Sequence, residues 1–393
     1  MNTHFFTLKS PKGDLKQHNE QITTQTPPLG GWGVILFAIL LFSITSCLSK
    51  KGEAQPSLAD KNATQETKEL YQTLHQRLKE GIMLGHQDDL AYGIGWYKIP
   101  GKSDIKEVSG KYPAIFGWEL GALERNSPYN LDSVYFSDMK EYAKQVHEMG
   151  GINTFSWHVD NIVTGNDAWD CKQDSVVGTC LPGGSNHTRF LTWLDIVANF
   201  FADLKDKEGK PIPVLFRPFH EHTGNWFWWC AEQCTPDEYI QLWQMTFNYL
   251  TETKQLHNLI WTYSPASVSS EEKYLERYPC NEYVDILGFD SYMYNTADSY
   301  MNELDTNLSI ITDLSKRWNK IPALSETGLE TIPVNNYFTG ILWPAVSKYE
   351  ISYFLLWRNA INRPNHFYAP YPGHSSCEDF NKMVEDKRLI MIN

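Results

Sequence analysis

The chain has 393 residues and a net charge of −13 at pH 7. A surface short of Lys and Arg is ill suited to a phosphate backbone or to anionic lipid, which argues against nucleic acid and leaves a neutral partner as the expectation. The length accommodates one (β/α)8 barrel of ~250 residues with a leader and insertions, and 14 Trp suffice both to fill a core and to offer flat rings to sugar faces.

Residues 34–44, VILFAILLFSI, form an unbroken apolar run after Gly30, Gly31 and Gly33. The run falls short of the ~20 residues that span a bilayer and suits the core of a signal peptide. It ends in Ile44-Thr45-Ser46-Cys47, which resembles a bacterial lipoprotein cleavage box, with Ile44 and Thr45 as permissive choices. On that reading residues 1–47 are a leader and Cys47 carries the lipid that anchors the protein in a bacterial cell envelope. Residues 48–66 are then a polar tether, and 67–393 form a single catalytic domain. An ordinary export signal, giving a secreted protein, and a buried helix are the alternatives.

Beyond Cys47 lie six cysteines, at 171, 180, 230, 234, 280 and 377. An even number in an exported chain suggests disulfides. Short loops favour Cys171–Cys180 and Cys230–Cys234, which leaves Cys280–Cys377. A structural zinc lacks a second close-spaced pair to complete its tetrahedron, so no metal is expected.

From residue 81 onward, eight short apolar runs recur, each closing on polar or aromatic residues. They cover 81–89, 112–120, 150–158, 212–221, 258–266, 284–293, 321–328 and 351–360. Helical spacing marks 132–148, 190–206, 235–253 and 306–318. Thr235-Pro236-Asp237-Glu238 is a strong helix start, with a cap residue, a first-turn proline and acids near the positive end. Near-continuous apolar strands alternating with helices predict a parallel sheet covered on both faces. Eight of them, without a Gly-rich first turn, predict a closed α/β TIM barrel whose chemistry gathers at the C-terminal strand ends.

Those ends carry His86, Glu119, His158, His220, Glu221, Asp290, Glu326, Trp357 and Arg358. The densest stretch is RPFHEHTGNWFWW, residues 217–229, where a strand closes on Arg217, His220 and Glu221 before an aromatic cluster. Such charges are costly at a strand end unless they face a polar cavity. A second carboxylate, Glu326, closes the seventh run in SETG. Two carboxylates meeting at one barrel mouth suit glycosidic cleavage, one protonated to assist the leaving oxygen and one ionised to attack. Taken singly, each glutamate could as well pair with Arg217 or Arg358. Asp88 and Asp89 could bind sugar hydroxyls or cap the next turn. His220-Glu221-His222 lacks the i, i+4 spacing of a metalloprotease helix, and neither a serine-hydrolase elbow nor a P-loop occurs.

RPFHEHTGNWFWW, with the later SETG and FLLWRN, resembles glycoside hydrolase family 26, chiefly β-mannanases, over roughly residues 70–390. The resemblance implies Glu221 as acid/base and Glu326 as nucleophile. It implies that His220 contacts the sugar near the nucleophile, that Trp226 lines the aglycone side and that Tyr292 hydrogen-bonds Glu326. Trp357 would be the platform under the reacting sugar, with Arg358 beside it on the glycone side, and His158 would meet a glycone hydroxyl. The implied activity is retaining endo cleavage of β-1,4-mannan, galactomannan or glucomannan by a monomer that needs no cofactor. A β-1,3-xylanase, a mixed-linkage glucanase and an exo-acting mannobiohydrolase stay open. So does a non-catalytic glycan-binding lipoprotein, although such a protein should have lost a glutamate or Tyr292.

Overall fold

Apolar runs that are buried on both faces can satisfy their backbone groups only by pairing with one another. The computed structural model describes residues 57–173 and 175–393. The expected leader, Cys47 and the first part of the expected tether lie outside the described residues. Each of the eight expected runs contains a strand: β1 Ile82–Gln87, β2 Ile115–Glu119, β3 Ile152–Trp157, β4 Val214–Pro218, β5 Leu259–Tyr263, β6 Ile286–Tyr292, β7 Ile321–Gly328 and β8 Tyr353–Leu356. All pair in parallel with their neighbours, and β8 returns to β1 with Met83 opposite Tyr353. The sheet is therefore a closed barrel, a (β/α)8 fold as expected.

Alternation along each strand divides the core in two. Met83, Leu215, Ile260, Ala323 and Leu355 belong to an inner cluster, whereas Phe216, Trp261, Leu324 and Phe354 pack outward against helices. The inner cluster is closed from below by Leu58 and Ala63. This corrects the expected tether boundary at residue 66. Ala59 N donates to Asp285 Oδ1 at 2.6 Å, and Asp60 meets His257 at 2.7 Å. Thr64 then caps an unforeseen helix, Gln65–Arg77. The polar composition hid the few apolar side chains that plug the barrel.

The expected helices appear as Phe136–Glu148, His187–Ala202, Pro236–Asn248 and Ala297–Trp318. Phe136–Glu148 buries Phe136, Met139, Ala143 and Val146, the spacing of one helical face. Thr235 and Glu238 form the reciprocal cap that their spacing predicts. Ala297–Trp318 starts well before residue 306, where Thr296 Oγ1 accepts from Ser299 N at 3.2 Å. Among the described residues, no helix is long and apolar enough to cross a membrane.

The expected disulfides are not formed. Cys171, Cys180, Cys230, Cys234 and Cys377 are thiols, which removes all three pairings. Four of these sulfurs turn instead to backbone carbonyls: Cys180 to Val176, Cys230 to Glu221, Cys234 to Trp229 and Cys377 to Tyr371. Nearness along the chain brought Cys230 and Cys234 into one turn but pointed them at different acceptors.

Candidate active site

Inward-facing residues at the upper ends of the strands build the site. On β4, Leu215 faces inward, and two residues later Arg217 rises into the barrel mouth. Its Nη1 donates to Asp290 Oδ2 at 2.8 Å, and its Nη2 to Glu326 Oε1. Burial opposes the guanidinium charge, but Asp290 and Glu326 more than offset that, leaving it firmly protonated.

Glu326 reaches this place through an irregularity. Ala323 faces inward and Leu324 outward, so strict alternation would send Glu326 outward. The pairing of β7 slips on both sides between Leu324 and the residues that follow Ser325. Such a bulge re-aims the next side chain. Ser325 Oγ lies 3.1 Å from Ser264 Oγ, while Glu326 turns to Arg217 and accepts from the Tyr292 hydroxyl at 2.7 Å.

Glu221 follows β4 on strained backbone. Phe219 and Glu221 have φ of 50° and 54°, left-handed values that cost a non-glycine residue roughly 1–2 kcal/mol. The surroundings hold the turn. Glu221 N donates to Ser264 O at 2.7 Å, Tyr239 Oη to Phe219 O at 3.0 Å and Trp229 Nε1 to His220 O at 2.8 Å. Trp226 Nε1 donates to Glu221 Oε2 at 2.7 Å. Burial, and then the charge of Glu326, push the Glu221 carboxyl up to about 7, against the pull of Trp226. Facing oxygens of Glu221, Asp290 and Glu326 lie within 4.8 Å of one another. A cation could fit such a set by geometry, but Arg217 already bonds two of its three members.

A buried chain of groups supports the opposite wall. Glu119 accepts from Ser156 Oγ, from Gly121 N at 2.5 Å and from His158 N at 2.7 Å. It also pairs with His158 Nδ1 at 2.8 Å. Burial alone would lower the His158 pKa, but the charge of Glu119 outweighs it and raises it. His220, whose Nε2 lies 3.1 Å from His158 Nε2, is driven well down by burial and by Arg217, and stays neutral. With these states His158 donates and His220 accepts.

The mouth opens into a cleft of about 630 Å³ whose walls include His158, Glu221, Trp226, Tyr292, Glu326 and Trp357. Six of the eight expected site residues thus share one cavity. His220 stands behind His158 and is 1% exposed. Arg358 is not on the cleft wall either. It is 4% exposed, paired with Asp132 at 2.8 Å and bonded to the Tyr92 hydroxyl at 3.4 Å. The same buried network takes Asp88, which accepts from Tyr92 at 2.5 Å, while Asp89 meets His86 at 2.6 Å. Neither aspartate opens to the cleft.

Three lining aromatics escaped the sequence reading. Trp169 stacks on His158 with ring centres 5.1 Å apart and planes 12° apart. Tyr294, 83% exposed, leans toward Tyr292 at 5.9 Å. Tyr368 meets Tyr292 edge-on at 5.6 Å. A polar loop with a lone Trp after β3, and the second Tyr of SYMY after β6, were the available signals.

The sequence and the fold also match known proteins. The family described as glycosyl hydrolase family 26 matches residues 59–363. The fold is similar to that of a GH26 beta-mannanase from Bacteroides ovatus, at 44% identity and a TM-score of 0.82, covering 84% of this chain and 95% of that one. It is also similar to the catalytic domain of a GH26 endo-beta-1,4-mannanase from Bacillus sp. JAMB-750, at 32% identity and a TM-score of 0.79, covering 85% and 93%. A mannan endo-1,4-beta-mannosidase from Bifidobacterium adolescentis is 29% identical over 358 residues, which are 85% of this chain. The chain spans only 35% of that larger relative. On the extent of the family match and the 44% identity, this chain belongs to glycosyl hydrolase family 26.

Proposed function

We propose that the chain is a retaining endo-β-1,4-mannanase acting on mannan, galactomannan or glucomannan. The observation that carries this reading is the Glu221–Glu326 pair, with facing oxygens within 4.8 Å of each other and one carboxyl lifted to about 7. Retaining enzymes place their carboxyls ~5–5.5 Å apart, whereas inverting ones leave ~6.5–9.5 Å for a water. The mannan specificity is supported by the mannanase activities of the relatives.

In the first step Glu326, oriented by Arg217 and Tyr292, attacks the anomeric carbon. The bond to the leaving oxygen breaks, and that oxygen takes the proton of Glu221. The charge of Glu326 is consumed in the glycosyl ester, so the repulsion that helped to keep Glu221 protonated is gone. Glu221 can then take a proton from water, whose oxygen attacks the same carbon and releases Glu326. Trp357 would underlie the reacting sugar, Trp226 the aglycone side, and His158 would meet a glycone hydroxyl. His220 and Arg358 act from behind the wall, through His158 and beside Trp357.

Early products on mannan, followed by NMR, should keep the β anomer, and inverted product would overturn the mechanism. A time course on mannan, galactomannan, xylan and mixed-linkage glucan should show a ladder of manno-oligosaccharides. Release of mannobiose alone would make the enzyme exo-acting. The proposal extends to a monomer held in a bacterial cell envelope by lipid on Cys47. Palmitate labelling that disappears in Cys47→Ser would support the anchor, and labelling unchanged by that substitution would refute it.

A further inference from the structure

Large apolar side chains left in water normally scatter singly over a surface, and a concentration of them marks a place of contact. Here they are concentrated. The ten exposed large apolar side chains of the described residues all lie in segments that follow barrel strands, on the face that bears the cleft. Five belong to the segments after β1 and β2: Tyr97, Ile99, Tyr129, Leu131 and Tyr135, each 38–47% exposed.

The tyrosines are held rather than loose. Tyr97 Oη donates to Ser133 O at 3.1 Å, and Tyr129 meets Tyr135 edge-to-face with ring centres 5.8 Å apart. Lys98 Nζ sits 3.9 Å over the Tyr135 ring and pairs with Asp138 at 2.5 Å. The lysine charge is therefore answered within the patch, and it covers a face of Tyr135. Lys98 Nζ also lies 5.3 Å from the Tyr97 ring centre, and Tyr97 and Tyr129 remain fixed, partly exposed rings with polar tips.

The patch also touches residues that back the cleft. Leu131 N donates to Gly121 O at 3.2 Å. A Cβ at Gly121 would stand 2.4 Å from Leu131 Cδ2 and 3.0 Å from both Glu119 Oε1 and His158 O. Glycine there lets the Leu131 segment lie directly against the wall that carries His158. The next residue, Asp132, holds Arg358 beside Trp357. Tyr129 thus stands two residues from a segment in contact with the catalytic wall.

We propose that Tyr97 and Tyr129 form a second sugar-stacking platform, which holds a distal stretch of the same neutral β-linked polysaccharide that is cut at Glu221 and Glu326. The inference rests on the glycanase reading above and adds a binding surface to it. A rigid ring with an apolar face and a hydroxyl tip suits a sugar ring, which is apolar on its flat side and polar at its rim. A charge-neutralised patch gives an ionic partner nothing to grip. Contact with the residues that back the cleft sets the patch near a chain bound there.

The test compares polymer with short substrate in the Tyr97→Ala/Tyr129→Ala double variant. A second contact on one polymer raises apparent affinity without touching the reacting bond, so kcat/KM on soluble galactomannan should fall about fivefold or more. On a four-unit manno-oligosaccharide it should stay at the parent value. In the inactive Glu326→Ala background, retardation by galactomannan in affinity gels should weaken to match. Tyr97→Phe/Tyr129→Phe keeps the rings and should behave as the parent. Unchanged polymer kinetics and retardation, or an equal loss on the short substrate, would overturn the platform. If the parent is retarded by xylan or mixed-linkage glucan but not by mannan, the mannan reading fails, and the platform is judged by the same comparison on that polymer. A parent retarded by none of these polymers, or one whose double variant loses only self-association in sedimentation, also overturns it.

Discussion

The Tyr292 hydroxyl donates to Glu326 Oε2 at 2.7 Å from the end of the strand adjacent to the one that carries its acceptor. Arg217 meets the other oxygen of the same carboxylate from β4. Three strands therefore aim one side chain. Hydrogen bonds to charged groups are worth roughly 1.5–3 kcal/mol. Tyr292→Phe should accordingly lower kcat by about ten- to a hundredfold. Parent kcat in Tyr292→Phe would remove the tyrosine from the proposed mechanism.

The two glutamates should fail differently. Glu326→Ala should abolish turnover yet still bind manno-oligosaccharides in calorimetry, because binding does not need the attack. Glu221→Ala should cripple hydrolysis of natural oligosaccharides but spare the first step on aryl glycosides with good leaving groups, which need no proton. Equal losses of Glu221→Ala on both substrates, measured in single turnovers, would count against its acid role.

Burial first, and the Glu326 charge second, lift Glu221 to about 7. The acid must be protonated, so kcat/KM should decline on the alkaline side with a midpoint near that value. Glu326→Gln removes the second cause, and a carboxyl NMR titration should then find Glu221 lower. The shift also reaches stability. Between the ordinary value of 4.5 and about 7 the folded chain keeps a proton that the unfolded chain has released. The contribution is full below the lower value and is lost as pH rises through the upper one. Glu221→Gln cannot ionise, so its melting temperature relative to the parent should be higher at about pH 8 than at about pH 4. A pH-independent difference would contradict the shift.

Thiols make a further prediction. Iodoacetamide added after denaturation, with no reductant, should label Cys171, Cys180, Cys230, Cys234 and Cys377, as read by peptide mass spectrometry. A reducing agent should leave the melting temperature unchanged. Before denaturation, Cys230 should react slowly, since burial pushes its thiol far up and its sulfur faces Glu221 O. Peptides joined through any of these residues would reverse the finding.

The barrel was legible because strands buried on both faces must be continuous apolar runs, and eight of those cannot be hidden. The carboxylates were legible because a charge at the end of such a run needs a reason. Arg358 misled for a physical cause: its neighbour Trp357 reaches the cleft, and adjacent residues on a strand end often diverge. Its real partner, Asp132, comes from the segment after β2, which no periodicity marks. Trp169 and Tyr294 stayed hidden because loops carry no repeat. The thiol orientations depend on which carbonyls the fold presents, and spacing does not encode that.

The slip in register at Ser325 separates two kinds of change that the gene can suffer. Replacing Pro322 or Ala323 alters a packing contact and leaves the aim of Glu326 intact. A change in the number of residues there acts differently: without Ser325, Glu326 would follow the outward-facing Leu324 in regular alternation and face the mouth with no bulge to aim it. At this strand the count of residues before Glu326 carries information that no residue type can replace.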